Sequence, residues 1–174
     1  TPGKFKVGYK RIDRTDASRT YGSQPRVVQM YVWYPARSGT GNKALYDQYF
    51  KDIAYDWGLN KSTSDSLGRM LTKHFRSGAL NPSFPQGISD AAFQKILQTP
   101  IPVMVNAVPA SGKFPLVLHI TSNGPLHQSV MLVYLESDGY VVISMSMYGS
   151  SPAFYGRGEA GTRGLHAMTE DLAF

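Results

Sequence analysis

The chain contains no cysteine. That excludes a disulfide framework and any metal site built on thiolates, and it leaves the compartment open. Charge is also sparse: 17% of residues are charged, against 42% apolar, the balance of a folded chain rather than a disordered one. No apolar stretch approaches the roughly 20 residues that a membrane-spanning helix needs. No charged start followed by an apolar run marks a signal peptide. Internal repeats and low-complexity tracts are missing, and so are the phosphate-cradling patterns G-x-G-x-x-G and G-x-x-x-x-G-K-[ST]. The four histidines show no spacing suited to a shared metal ion, so neither a metal nor another cofactor is expected. The formal net charge is +6, but the basic residues are scattered. The densest group, Lys4, Lys6, Lys10, Arg11 and Arg14, is broken by Asp13 and followed by Asp16. Without a continuous stripe or a recognition motif this reads as a solvated face, and no nucleic-acid partner is expected.

What is present suits one domain of 174 residues with a real core. Residues 4–12, KFKVGYKRI, and 26–34, RVVQMYVWY, have strand composition and can pair as an antiparallel ribbon. Thr15 to Gly22 between them reads as a polar turn region, and Pro35 as the stop of the second strand. From Ala44 to Gly78 the pattern is helical: Leu45, Tyr49, Ile53 and Trp57 share one face, as do Leu67, Met70, Leu71 and Phe75. Ser89 is placed to cap a further helix that ends before Pro100. PVMVNAVPA then reads as a short edge strand because of its prolines. The runs PLVLHI (115–120) and YVVISMSM (140–147) are continuously apolar, as strands buried on both faces are in parallel sheets. Between them LHQSVMLVYLESDG has helical length, with Val130, Val133 and Tyr134 as its apolar positions and Gly139 at its C-terminal stop. The three pieces make one βαβ unit. The end of the chain, TRGLHAMTEDLAF, is helical by propensity.

Candidate chemistry is thin by comparison. No G-x-S-x-G occurs; Ser89 and Ser151 sit in the nearest approximations, and neither has the strand–turn–helix context that exposes a nucleophile. His119 lies inside a strand and reads as a core residue. His127, near the strand-to-helix turn, can face a pocket, whereas His74 and His166 sit in helical stretches. The most suggestive feature is the loop Thr121-Ser122-Asn123-Gly124-Pro125. It follows a parallel strand and opens a helix, where open α/β sheets bind ligands and where helix-start N–H groups point at anions. A plain connector would have the same spacing.

Several segments together resemble the α/β-hydrolase superfamily, in the branch of platelet-activating-factor acetylhydrolases and dienelactone-hydrolase-like bacterial esterases. VGYKRIDRTDASRTYG followed by VVQMYVWYPA looks like that branch's opening strands, and GKFPLVLHITSNG like its third strand and oxyanion loop. YLESDGYVVISMSMYGSSP is similar to the next helix and strand, and TEDLAF to the helix before the nucleophile strand. The fold this implies is α/β: the N-terminal half of an α/β-hydrolase sheet, with antiparallel opening strands, a parallel βαβ unit and a helical insertion or cap over residues 44–97. The activity implied is carboxylic-ester hydrolysis through a serine acyl-enzyme. The main-chain N–H groups of Asn123 and Ser122 would face the oxyanion, and the substrate would be a small-molecule or lipid ester. In this superfamily serine, acid and histidine all follow the segment resembled by TEDLAF. The triad is therefore expected outside these residues, on the same or a second polypeptide, and the chain alone is expected to be inactive. The resemblance favours a secreted or periplasmic protein. One departure stands out: Thr121-Ser122 replace the family's usual His-Gly. A non-catalytic binding or assembly module on a degenerate hydrolase fold is the alternative. If half a sheet is present, the edge beside YVVISMSM should be unpaired and apolar.

Overall fold

The computed structural model describes residues 3–21, 24–54, 88–121 and 129–146. Their strands form a mixed six-stranded sheet in the order β3-β4-β1-β2-β6-β5. The fold is α/β, a mixed sheet with a few helices. The strands are β1 (Lys6–Tyr21), β2 (Gln24–Ala36), β3 (Asn42–Leu45), β4 (Pro100–Val105), β5 (Leu116–Thr121) and β6 (Val141–Ser146). The helices are α1 (Asp47–Ala54), α2 (Asp90–Leu97) and α3 (Ser129–Ser137). The chain divides into two compact units, one of residues 1–42 with 103–174 and one of residues 43–102.

In the first unit β1 and β2 pair antiparallel from Lys6↔Ala36 to Asp16↔Arg26, and after a register shift from Thr20↔Pro25 to Tyr21↔Gln24. Of the expected turn region Thr15 to Gly22, the residues up to Tyr21 are instead strand, because β1 continues to Tyr21, and Gly22 lies outside the described residues. The polar residues there are compatible with a strand because its buried carboxylate is satisfied locally. Asp16 accepts from the Ser18 N–H at 2.9 Å and the Ser18 hydroxyl at 2.6 Å, and pairs with Arg19. Nor does β2 stop at Pro35. The Pro35 carbonyl accepts from the Ala110 N–H at 2.8 Å, and N and C=O of one strand residue point to the same side. The missing proline donor thus faces away from β1 and costs the ribbon nothing.

β2 pairs antiparallel with β6 from Met30↔Met145 to Trp33↔Val142, and β6 pairs parallel with β5 from Leu116↔Val141 to Thr121↔Ser146. β1 pairs parallel with β4 from Val7↔Val103 to Tyr9↔Val105. β4 thus has neighbours on both sides in the strand order, and the edge position expected from its prolines is corrected. The register sorts side chains into two faces. Tyr9, Tyr31, Trp33, Val142 and Ser144 share one face and are wholly buried. On the other, Val32, Tyr34, Ala36 and Ala107 form a cluster packed by Ile12, Met30, Met104, Val141 and Ile143. No α3 residue belongs to that cluster, whereas α3 packs on β1, β2 and β6. It therefore covers the Tyr9–Trp33 face.

α3 turns a different side inward from the expected one. Leu132 and Glu136 are fully buried, Ser129 and Ser137 nearly so, while Val130 is 84% exposed and Tyr134 52%. The helix ends in a Schellman motif: Gly139 N–H donates to the Glu136 carbonyl at 3.0 Å and Tyr140 N–H to Leu135 at 3.3 Å. Gly139 has φ +103°, which glycine adopts without strain. The other correction concerns β5 and β6. β6 is interior, and among the described residues β5 lies at the edge of the sheet, with Leu116, Leu118 and Ile120 exposed along one face. The unpaired edge expected beside YVVISMSM is thus one strand further out.

In the second unit α1 begins at Asp47, and Leu45 lies in β3 rather than on a helix face. Tyr49, Phe50, Phe93 and Leu97 are buried. The rings of Phe50 and Phe93 meet edge-on at 6.2 Å between centroids, and Tyr46 packs edge-on against Phe50 at 5.8 Å. Ser89 accepts from the Ala92 N–H at 3.2 Å, the N-cap role read from sequence. The helical positions Trp57, Leu67, Met70, Leu71 and Phe75, with His74, lie outside the described residues.

Candidate functional site

β5 and β6 run in the same direction, with Thr121 opposite Ser146 at the last described position of each. The carboxyl ends of parallel strands are where crevices form in α/β proteins. Seven residues, 122–128, separate Thr121 from Ser129, the first residue of α3. Ser122, Asn123 and His127 belong to this connection and lie outside the described residues, as do Ser151 and His166. What the structure supplies is the pair of anchors on either side of the loop. On the strand side, His119 is half-buried, and its Nδ1 lies 3.2 Å from the Ser144 hydroxyl. Ser144 is wholly buried in β6. This contact joins the two parallel strands. His119 is thus a half-buried residue of the β5–β6 pairing rather than the core residue read from sequence.

On the helix side, α3 is held from below by the chain's N-terminal segment. Gly3 N–H donates to the Ser137 hydroxyl at 2.8 Å, and Phe5 N–H donates to the Ser137 carbonyl at 3.1 Å. Phe5 packs edge-on against Phe114 at 5.3 Å, just ahead of β5. One residue before Ser137 stands a group that the sequence pattern did not single out. Glu136 is wholly buried, and neither carboxylate oxygen has a hydrogen-bond partner. Desolvation raises its pKa to about 8. Its position four residues after Leu132, on the buried stripe, was the only sequence signal, and acids on such stripes are rare enough to be passed over. Asp16 behaves oppositely. Its hydrogen bonds from Ser18, then from Arg19, lower its pKa to about 2. Among the described residues no group of His, Asp or Glu side chains could hold a metal ion.

No family model matches the chain, and no curated protein matches it in sequence. The fold is similar to that of a ferulic acid esterase from Streptomyces cinnamoneus, an α/β-hydrolase, with TM-score 0.61 and 16% identity. The match covers 100% of this chain and 46% of the esterase. The chain therefore spans about half the length of the structure it matches. At that identity the likeness establishes architecture, namely part of an esterase fold.

Proposed function

We propose that the chain is the N-terminal portion of a serine hydrolase that cleaves carboxylic esters. It supplies the oxyanion loop, while nucleophile, acid and histidine are contributed from outside these residues. The observation that carries this reading is the likeness over the whole of this chain to 46% of an esterase. It is supported by the parallel pairing of β5 with β6 up to Thr121 and Ser146, because the residues expected to bind the oxyanion follow Thr121 directly in the chain. In the reaction, a serine oxygen attacks the ester carbonyl, and the charge that develops on the carbonyl oxygen is met by main-chain N–H groups of Asn123 and Ser122. Each such donor contributes typically ~3 kcal/mol to the transition state. The helices within 44–97 are the insertion or cap that shapes the acyl or alcohol pocket. Feruloyl esters are a rational first substrate to assay, since the similar structure is that of a ferulic acid esterase.

The test is made in the intact enzyme. Asn123→Pro deletes one N–H, so kcat should fall by roughly 10²–10³-fold with KM little changed. Asn123→Ala keeps the N–H and should cost far less. Equal losses would assign the effect to the side chain or to distortion. An undiminished proline variant would reduce the loop to a connector. The exchange of His-Gly for Thr121-Ser122 favours the second reading, a binding or assembly module without catalysis. That reading gains if the intact protein carries no G-x-S-x-G nucleophile.

A further inference from the structure

Glu136 has no part in the ester chemistry, yet it occupies the worst place in the unit for a carboxylate. It is wholly buried with both oxygens unpartnered. It also sits in the last turn of α3, where the helix dipole presents its negative end. Because Ser137 binds Gly3 and Phe5, this turn lies at the end of the sheet where β1 begins. The buried side chains the covered face presents there are Val7, Tyr9, Trp33 and Val142. Among the described residues the titratable and charged groups around that turn are these. β1 contributes Tyr9, Arg11 and Asp13, β2 contributes Tyr31, β5 contributes His119, and β6 contributes none. The segment Gly3–Phe5 adds Lys4, whose ammonium lies 5.1 Å from the centre of the Phe5 ring, and the end of α3 adds Asp138. Arg11 is paired with Asp13 at 3.3 Å, Tyr31 accepts from Gln29, and His119 is with Ser144. None of these groups reaches Glu136 with a hydrogen bond.

We propose that the seating of α3 on the sheet is proton-linked through Glu136: the neutral acid stays buried, and ionisation favours release of the last turn together with the Gly3–Phe5 strap. The seating does not depend on the ester-hydrolase reading. The direction follows from linkage. Burial raises the folded-state pKa from the 4.5 of a free glutamate to about 8. The seated state is therefore favoured fully below about pH 4.5, and the preference is lost as pH rises toward about 8.

The experiment is amide hydrogen exchange in the intact protein from about pH 5 to about pH 9, each rate divided by its intrinsic rate. The probes are the amides of Phe5, Gly139 and Tyr140, which bond the last turn of α3. In the wild type, protection should fall by roughly tenfold per pH unit up to about pH 7.5 and level off above about 8. In Glu136→Gln it should be independent of pH. A flat wild-type profile, or the same fall in both proteins, would overturn the proposal. Should the glutamine variant not fold, infrared spectra of the wild type decide, using glutamate labelled at its carboxyl carbon. A protonated carboxyl band present at neutral pH and bleaching near pH 8 sustains the proposal, and its absence at neutral pH refutes it. The exchange rates report helix seating, the infrared band reports protonation, and neither reports turnover, so their failure leaves the hydrolase reading separately testable.

Discussion

β5 and β6 are near twins in sequence, LVLHIT and VVISMS, paired in parallel along their whole length. Their surroundings are opposites. β6 lies between β2 and β5, and its Val142 and Ser144 are wholly buried. β5 has β6 on one side and, among the described residues, no strand on the other; Leu116 is 56% exposed and Leu118 55%. Apolar side chains on parallel strands are ordinarily covered on both faces. β5 therefore has the composition of an interior strand in the position of an edge, and such an edge invites a further strand.

The sharpest way to break this comparison is to place a carboxylate on each strand. Val142→Asp puts a charge under α3 without a partner and should abolish cooperative folding, at a cost on the order of 3–5 kcal/mol. Leu118→Asp should change the stability of residues 1–174 by less than about 1 kcal/mol. In a longer intact protein with a further strand paired beside β5, Leu118→Asp should cost several times more. Urea unfolding of both variants in both lengths checks this, and a small effect of Leu118→Asp in the intact protein would speak against such a strand. A smaller contrast lies on the helix that joins the two strands. Leu132→Ala empties a wholly buried position and should cost about 2–5 kcal/mol, whereas Val130→Ala, 84% exposed in the structure, should stay within about 0.5 kcal/mol. The smallest effect concerns the bond between the strands. Ser144→Ala removes the partner of His119 Nδ1 and should cost about 1 kcal/mol, visible as faster exchange of the β5 amides.

These contrasts also mark how far the sequence could be read. Strand content, the antiparallel ribbon, the βαβ unit, the Ser89 cap and the Gly139 stop were legible because each depends on local chemistry. Partner-dependent features were not. Thr15–Gly22 is polar enough for a turn, but Ser18 and Arg19 satisfy the Asp16 carboxylate and the strand continues to Tyr21. Pro35 looks like a terminator, but its missing donor points where β1 does not need one. The buried side of α3 was misjudged because Val130 and Tyr134 are as apolar as Leu132, and only the sheet beneath decides among them. Glu136 escaped notice for the same reason. At the candidate site, the anchors at Thr121 and Ser129 are in the structure, while Ser122, Asn123 and His127 lie outside the described residues, and their roles stay with the proposed function.

The central claim is that this chain lends a fold and an oxyanion loop to a serine that it does not itself contain. Its most direct test is to label the intact native protein with a serine-directed fluorophosphonate and map the modified peptide by mass spectrometry. The account predicts stoichiometric labelling of a single serine outside residues 1–174, with loss of ester hydrolysis in parallel. Labelling at Ser89 or Ser151, or none in a protein that still hydrolyses esters, would contradict it.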